Sequence, residues 1–372
     1  MTDAVLDDED AVAVHHAHAV WSCLTEPGDG VAGTLIGEMG PVDALRAAFE
    51  GGGPTSPSLD AGRRRWRARL ESIDDAFDRA RRVGARLLVP GSLSWPTALD
   101  DLGVHAPRAL WARGGPEPLG VEASLALVGA RAATGYGEHV TMELASRLAQ
   151  RGVSIVSGGA YGIDGMAHRA CLSAGGVTVA VLAGGVDRAY PAGHADLLAR
   201  IAAGPGVVVA EVPCGTPPTK WRFLQRNRLI AALSRATVVV EAGWRSGSLN
   251  TAGHAAALGR PLGAVPGPVT SAASAGCHRL LREYDARCIT SPDDACELLG
   301  ADAAAPEASS GRTDDRTRVL DALSARSPRA ADDVARRAGF DPDEVRGLLA
   351  LLELEGRARR GPGGWRRASP AQ

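Results

Sequence analysis

A glycine-framed arginine stands where an apolar run gives way to a helix-like segment. Residues 125–128 are apolar, and Gly129 and Arg131 follow them, ahead of a Thr-Gly-Tyr-Gly sequence at 134–137. Glycine lets backbone N–H groups approach an anion at a helix N-terminus, and a guanidinium can bind phosphate through two parallel hydrogen bonds. The loop lacks G-x-G-x-x-G spacing, and no acidic residue is placed for a ribose, which argues against a dinucleotide. The pattern predicts an anion site, with plain turn chemistry as the alternative.

A second glycine-rich loop, residues 157–168, follows the next apolar run. Its four glycines leave the backbone open to a ligand, while Ser157 and Tyr161 offer a hydroxyl or a stacking face. Asp164 and His168 are four residues apart and therefore share one helix face. They form either an acid/base or metal pair, or a helix cap beside a structural histidine. We favour the second interpretation because no third ligand or nucleophile is apparent.

Two later loops add cations, aromatic rings and hydroxyls. Residues 220–228 read Lys-Trp-Arg-Phe-Leu-Gln-Arg-Asn-Arg, a mixture that suits a nucleic-acid backbone and its bases, each stacked base contributing roughly 1 to 3 kcal/mol. Lys220 is the only lysine, so arginines must supply almost every other cationic contact. The Ser-Gly-Ser sequence at 246–248 forms another phosphate-compatible cradle before a helix. Together these loops predict a long anion-binding groove rather than one pocket.

The loops need a sheet to bring them together, and the pattern of residues 124–299 predicts one. Six apolar runs are typical of buried parallel strands, at 125–128, 154–156, 177–182, 207–210, 237–240 and 261–265. Helix-length segments lie between them, at 138–150, 164–174, 226–234 and 249–258. Strands and helices in alternation predict a doubly wound α/β sheet. Such sheets bind ligands beyond the carboxyl ends of their strands.

Linker-like composition near 51–57 and 301–311 divides the chain. We predict a small helical module (SAM- or helix-hairpin-helix-like) at 1–60, an extended Rossmann-like domain at 61–300, a linker at 301–312 and a winged-helix domain at 313–372. The last prediction rests on helical segments at 316–324, 330–338 and 342–355, followed by a glycine-turned, arginine-rich segment. A winged helix can bind duplex DNA or dock a partner, and the sequence leaves both open.

The composition restricts the class of protein. Apolar residues make up 45% and charged residues 23%, with a net charge of -2, as in globular proteins. No run approaches the ~18 apolar residues of a membrane-spanning helix, and the N-terminal segment is acidic rather than basic. We therefore expect a cytoplasmic protein without membrane contact. The cysteines form no C-x-x-C pair, so we expect free thiols, no metal and no cofactor.

Several motifs in order resemble the DprA/Smf family of DNA-processing proteins. The matching segments are 127–137, 157–168, 181–191, 223–234 and 241–252, within a resemblance that covers about 87–299. The resemblance implies an extended Rossmann fold that dimerises through this domain. It further implies a protein that binds single-stranded DNA and loads the RecA recombinase during natural transformation, and that is not an enzyme.

The resemblance also suggests which residues meet DNA. Arg131 matches the family's phosphate-binding arginine, Ser157 and Gly158 match its second loop, and residues 226–228 match its Arg-Asn-Arg signature. With the loops described above, the expected DNA contacts are Gly129, Arg131, Thr134, Tyr136, Ser157, Gly158, Tyr161, Arg188, Lys220, Arg222, Arg226, Asn227, Arg228, Ser246, Gly247 and Ser248.

The chain departs from the family pattern at three points. Leu224 stands where the family commonly has proline, and His194 where it has asparagine. A lysine often found soon after the Tyr-Pro pair is absent, which leaves arginines such as Arg188 or Arg200 to supply that charge. The resemblance therefore predicts a DNA contact in this stretch that arginine rather than lysine makes.

Two other functions compete with this one. A nucleotide-hydrolysing enzyme similar to the lysine-decarboxylase-like phosphoribohydrolases would share the scaffold. Those enzymes use a Pro-Gly-Gly-x-Gly-Thr loop and a nearby glutamate; this sequence lacks the loop, and Glu241 is its best remaining acid. The other alternative is a sequence-specific regulator that acts through the C-terminal domain and prefers duplex DNA.

Overall fold

The computed structural model describes residues 8–50, 53–120, 123–300 and 315–368. The chain divides into two units, residues 1–301 and 302–372, each of which has a hydrophobic core of its own. The predicted linker at 301–312 lies outside the described residues. Within the described ranges, no helix combines the length and the hydropathy needed to cross a membrane.

Helices open the first unit: α1 (Asp8–Leu24), α2 (Gly30–Met39), α3 (Pro41–Phe49), α4 (Pro57–Arg67) and α5 (Ile73–Arg82). The Asp29 carboxylate caps α2, since it accepts hydrogen bonds from two N–H groups of its first turn. Trp21 and Trp66 meet edge to face in the core, 5.0 Å between ring centroids. Because α4 supplies Trp66, this helical cluster extends beyond residue 60. The division into 1–60 and 61–300 stays a prediction.

Nine strands form one sheet in the order β1-β2-β6-β5-β4-β3-β7-β8-β9. Their bounds are Arg86–Leu88, Leu110–Gly114, Ser124–Gly129, Ser154–Gly158, Thr178–Leu182, Val207–Ala210, Ala236–Glu241, Leu262–Ala264 and Arg287–Cys288 for β1 to β9. β2 pairs antiparallel with β1 and β6, and every other pairing is parallel. The six predicted strands are β3 to β8, and β4 to β7 are buried along their whole length, as a sheet covered on both faces requires.

The helices cover both faces of this sheet, which confirms the doubly wound α/β fold. They are α6 (Gly135–Gln150), α7 (Ile163–Ser173), α8 (Ala195–Ala203), α9 (Lys220–Ala232), α10 (Ser248–Ala257), α11 (Ala275–Glu283) and α12 (Pro292–Leu298). Leu144 of α6 and Ile163 of α7 pack into one core cluster, whereas Leu229 of α9 and Ala252 of α10 pack into another. β3 and β7 are neighbours, yet the helices that follow them leave to different faces. This reversal leaves a crevice at their carboxyl ends.

The second unit is a winged helix, as predicted. It consists of α13 (Asp315–Ala322), α14 (Ala331–Ala338), α15 (Pro342–Leu354) and a hairpin of β10 (Ala358–Gly361) and β11 (Gly364–Arg367). Gly339 ends α14 with φ +73°, a left-handed conformation that glycine adopts without steric cost. Val319, Val334 and Leu349 are fully buried between the three helices.

Candidate nucleic-acid interface

A crevice of about 500 Å³ opens at the carboxyl ends of β3 and β7. The loop after β3 contributes Gly129 and Arg131, the first turn of α9 contributes Lys220 and Phe223, and the start of α10 contributes residues 246–248. The reversal of winding between β3 and β7 separates these loops and keeps the crevice open. Ala160 and Asp164 of the second glycine-rich loop also line it, so the structure brings together all four loops that the sequence singled out.

Arg131 lies on an aromatic platform at this crevice. Its guanidinium carbon is 4.6 Å from the centroid of the Phe223 ring, and the Tyr190 ring lies 5.6 Å from the same centroid. Arg131 is exposed, and within the described ranges no carboxylate or carbonyl binds its guanidinium. The stacking holds the flat guanidinium in place, while its N–H groups remain available to a phosphate.

Two helices begin at the crevice and direct their N-terminal N–H groups toward it. The Thr219 hydroxyl caps α9 by accepting a hydrogen bond from the Arg222 N–H at 3.3 Å. α10 begins at Ser248, whose N–H lies 3.4 Å from the Ser246 hydroxyl, and the next two N–H groups donate to the Ser246 and Gly247 carbonyls. The attraction that α10 offers an anion therefore comes from the positive end of its dipole rather than from free N–H groups. The exposed Lys220 adds a positive charge at the start of α9.

Thr134 and Tyr136 are exposed at the start of α6 but have internal partners. The Thr134 N–H and hydroxyl donate to the Glu241 carboxylate at 2.8 and 2.7 Å, and the Tyr136 hydroxyl donates to the Pro266 carbonyl at 2.6 Å. Glu241 is buried. Its two oxygens hold the loop after β3 against the end of β7, so the carboxylate has no access to a substrate.

Three of the predicted DNA contacts lie beneath the crevice. The buried Ser157 hydroxyl donates to the Leu127 carbonyl at 2.7 Å. Arg226 is also buried, and its Nη1 donates to the Val181 carbonyl at 2.5 Å. A Cβ on Gly158 would come within 2.0 Å of that nitrogen, so only glycine leaves room for this guanidinium. These residues support the floor of the crevice and use their polar groups inside the protein.

Arg222 and Arg228 connect α9 to the N-terminal helices. Arg228 is buried and donates to both Glu211 oxygens, at 2.6 and 2.7 Å, while Glu211 also accepts from the Gly28 N–H at 3.2 Å. Arg222 binds the Glu26 carboxylate at 2.7 and 3.0 Å. Both arginines are engaged in paired contacts within the protein. The helix that carries Lys220 and Phe223 is therefore anchored from behind.

The remaining predicted contacts lie in or beside the crevice. Asn227 lines it, and its amide donates to the Gly247 carbonyl at 3.3 Å. Tyr161 and Arg188 are exposed in the loops after β4 and β5, outside the crevice lining. His194, where the family has asparagine, is buried with its Nδ1 2.9 Å from the Gly159 carbonyl. Its ring supports the second glycine-rich loop.

Asp164 is the one carboxylate that lines the crevice within the described residues. Burial raises its pKa to about 6, although the positive charge of Arg226 and a hydrogen bond from the Gly129 backbone act in the opposite direction. Burial also lowers the pKa of Arg226 to about 10, so the guanidinium stays protonated at neutral pH. The floor of the crevice therefore holds the negative charge of Asp164 and the positive charge of Arg226, which attract each other where little water screens them.

His168 is a structural residue. It is fully buried, and its Nδ1 lies 2.7 Å from the Thr178 hydroxyl. Burial lowers its pKa to about 3. Across the part of the chain that the structure describes, no group of three or more His, Cys, Asp or Glu side chains is placed to hold a metal ion. The geometry favours the structural interpretation of His168, but α7 begins after Gly162 without a side-chain cap, so Asp164 does not cap the helix as predicted.

We expect His168 to make the fold sensitive to acid. Its folded-state pKa, about 3, lies below the unfolded value of about 6.5, so its contribution to stability is complete above pH 6.5 and declines as the pH falls toward 3. The linkage predicts a loss of about 1 kcal/mol at pH 5.5. Denaturant unfolding of His168→Gln should show a smaller loss between pH 7 and 5.5 than the parent chain. An equal loss in both chains would exclude His168 as the cause.

A larger cleft, about 870 Å³, lies at the opposite end of the strands. Ser124 at the start of β3 and Pro261 before β8 line it. Its Arg260 donates to the Ala98 carbonyl and binds Asp101 at 2.9 Å. Doubly wound sheets bind ligands at the carboxyl ends of their strands, so its size does not make it the functional site.

Comparisons with known proteins agree with the fold and the motifs. Residues 86–300 match the family model of DNA recombination-mediator protein A, and residues 301–364 match the DprA winged helix domain. The chain belongs to the DprA family. The resemblance proposed from the loop motifs is thereby confirmed, and it extends through the winged helix of this DprA-family chain.

Relatives cover most of the chain. A DNA processing protein DprA from Mycobacterium tuberculosis is 45% identical over 369 residues, which span 94% of this DprA-family chain and 93% of the relative. Protein Smf from Escherichia coli is 40% identical over 250 residues, 65% of this chain and 67% of the relative.

Solved DprA structures share the fold. DprA from Streptococcus pneumoniae superposes with a TM-score of 0.63 at 28% identity and covers 76% of this chain and 97% of its own. DNA processing protein A from Helicobacter pylori, which binds single-stranded DNA, gives a TM-score of 0.53 at 30% identity, over 59% of this chain and 96% of its own.

Among the crevice residues that carry a charge or an aromatic ring, the predicted contacts omit Tyr190, Phe223 and Asp164. Phe223 and Tyr190 stand within the matching motifs, but core and surface aromatics look alike in a sequence. Asp164 was considered only as a partner for His168. The signal that would have identified it is its position in the first turn of α7, directly after a loop that borders the crevice.

Proposed function

We propose that this chain binds single-stranded DNA in the crevice between β3 and β7 and delivers it to the RecA recombinase as a recombination mediator in DNA uptake. The observation that carries the proposal is the exposed Arg131 guanidinium stacked on Phe223, 4.6 Å from the ring centroid, in a crevice that the N-terminus of α10 also lines. A relative from Helicobacter pylori that binds single-stranded DNA supports it.

The crevice supplies both kinds of contact that a single strand needs. Arg131, Lys220 and the positive end of the α10 dipole offer positive charge to the phosphates. The exposed Tyr190 offers an aromatic face, and a base stacked on such a face gains roughly 1 to 3 kcal/mol whatever its identity. Binding should therefore depend on salt and show little preference for sequence.

The buried residues of the Arg-Asn-Arg signature act as positioning residues in this proposal. Arg226 supports the floor against Gly158, and Arg228 anchors α9 through Glu211. Among the signature residues, only Asn227 lines the crevice. Phosphate contacts then fall to Arg131 and Lys220, with Arg188 as a contact for a strand that extends beyond the crevice.

The proposal includes a homodimer formed through the Rossmann-like domain, residence in the cytoplasm and the absence of catalysis, as the family resemblance implies. The position of Glu241 supports the absence of catalysis. Both of its oxygens accept hydrogen bonds from Thr134, so the best remaining acid for nucleotide hydrolysis already serves the loop after β3.

Fluorescence anisotropy with labelled oligo-dT tests the proposal. We expect binding that weakens steeply with salt, with a log–log slope of about -0.7 for each phosphate neutralised. Unlabelled single strands should compete much better than a duplex of equal length. RecA added to the complex should nucleate on the oligonucleotide faster than on the bare strand. Equal competition by duplex and single strand would contradict the proposed crevice, and unchanged nucleation would contradict delivery to RecA.

A further inference from the structure

The winged-helix unit offers two elements that could meet a duplex: the helix α15 and the hairpin β10–β11. In helix-turn-helix proteins the second helix of the motif lies in the major groove, and the residues at its N-terminus contact the base edges. In this unit that helix is α15, which follows α14 after the turn at Gly339. The charges at its N-terminus therefore decide whether it can take that position.

The N-terminus of α15 is acidic. Asp341 caps the helix, and Asp343 and Glu344 occupy its first turn, where they would face phosphate oxygens in a groove. The arginine of this helix, Arg346, binds Asp332 at 3.1 Å and also contacts Asp343. Anionic side chains at the leading end of a helix oppose entry into a groove flanked by phosphates. This arrangement disfavours α15 as a reader of base edges.

The arginines of α14 are also engaged. Arg337 binds Asp333 at 3.0 Å, and Arg336 lies 3.8 Å from the same carboxylate. The positive charge that the sequence places on these helices is thus balanced within the unit. The helices therefore offer a phosphate less unpaired positive charge than their number of arginines suggests.

The hairpin has the opposite character. Its residues 357–367 include no Asp or Glu. Arg359 and Arg366 are direct cross-strand partners, both are exposed, and neither forms an ion pair with any residue in the described ranges. The neighbouring Ala358 is buried, and side chains alternate along a strand. Arg359 and Arg366 therefore share the outer face of the hairpin.

Two like charges placed directly across a hairpin destabilise it. Arg367 beside this pair is 3.7 Å from Asp321, so carboxylates are within reach of the hairpin, yet none pairs with the outer face in the described part of the chain. An anion held between the two guanidiniums would relieve the repulsion. The arrangement thus has the chemistry of a phosphate site.

We propose that the hairpin β10–β11 binds the phosphate backbone of duplex DNA through Arg359 and Arg366, and that α15 stays out of the major groove. A duplex fits better than a single strand because the hairpin presents no free aromatic face. Trp365 is half-buried, and Arg360 lies over its ring at 5.8 Å. Contacts to phosphate alone carry no direct sequence information, so the binding should not depend on base sequence. The proposal does not depend on the crevice of the first unit.

The test uses the full chain in two backgrounds, the parent sequence and Arg131→Ala. Fluorescence anisotropy measures the binding of a labelled duplex and of labelled oligo-dT by each. Arg359→Ala/Arg366→Ala should weaken duplex binding about ten-fold at low salt and reduce the log–log salt slope by about two, one for each lost phosphate contact. Arg336→Ala/Arg337→Ala removes the same charge from the same unit and should leave both quantities unchanged. The hairpin variant should keep its thermal stability because it loses a repulsive pair.

Several results would overturn the proposal. The parent chain could fail to bind the duplex at low salt. The two double variants could weaken duplex binding equally, or the hairpin variant could lose affinity for oligo-dT alone. A marked gain in duplex binding by Asp343→Asn/Glu344→Gln, larger than the hairpin effect, would place the N-terminus of α15 against the phosphates. The hairpin variant could lose duplex binding as expected while Arg131→Ala still binds oligo-dT. That result would uphold this proposal and reject the crevice instead.

Discussion

Arg131→Ala is expected to weaken the binding of oligo-dT by about ten- to hundred-fold at physiological salt. A hydrogen bond to a charged group contributes about 1.5–3 kcal/mol, and each 1.4 kcal/mol corresponds to a factor of ten. Arg131 is exposed and has no protein carboxylate as partner in the described ranges, so its removal leaves the fold intact. Anisotropy over a range of salt concentrations should also show the log–log slope reduced by about 0.7.

Two further variants separate a specific contact from general electrostatics. Arg131→Lys keeps the charge but loses the planar fork that stacks on Phe223, so it should bind with intermediate affinity. Arg200, one of the two arginines proposed above to replace the missing lysine, is exposed on α8 outside the crevice lining, so Arg200→Ala should bind like the parent chain. Normal binding by Arg131→Ala would reject the crevice. An equal loss in Arg200→Ala would indicate diffuse attraction.

The central strands were predictable because each is a short apolar run that contrasts with its helical neighbours. The strands β1, β2 and β9 were not predicted. β9 has two residues and β1 has three, too few for a periodic pattern to register. β2 includes Leu110, Trp111 and Ala112, all buried, but its place is set by antiparallel pairing with β6, far along the chain. Such a pairing depends on tertiary contacts rather than on local pattern.

The grouping of the loops followed from the sequence, but the internal partners of each arginine did not. Loops after parallel strands share one edge of a sheet, so the grouping of Arg131 with residues 246–248 could be expected. Whether an arginine of α9 faces solvent depends on distant partners. Arg222 binds Glu26, which lies 196 residues away in the chain. Charge counts along a helix cannot reveal such a partner, so they do not show which arginines are free to face a ligand.

Arg226→Met is expected to lower the free energy of unfolding by about 3 to 5 kcal/mol, the usual cost of removing one partner from a buried pair of charges. The Val181 carbonyl loses its donor at 2.5 Å, and the buried Asp164 carboxylate loses the positive charge that opposes the effect of its burial. Denaturant unfolding measures the loss. Arg188→Met, which removes an exposed arginine, should change stability by less than about 0.5 kcal/mol.

The pH dependence of this loss identifies its cause. The folded-state pKa of Asp164, about 6, exceeds the unfolded value of about 3.9, so its contribution to stability is lost as the pH rises through that window. Without Arg226 the folded pKa rises further, and the deficit of Arg226→Met should grow between pH 6 and pH 8. Asp164→Asn in the same chain should remove that growth. A variant as stable as the parent chain that no longer binds oligo-dT would place Arg226 on the DNA rather than beneath it.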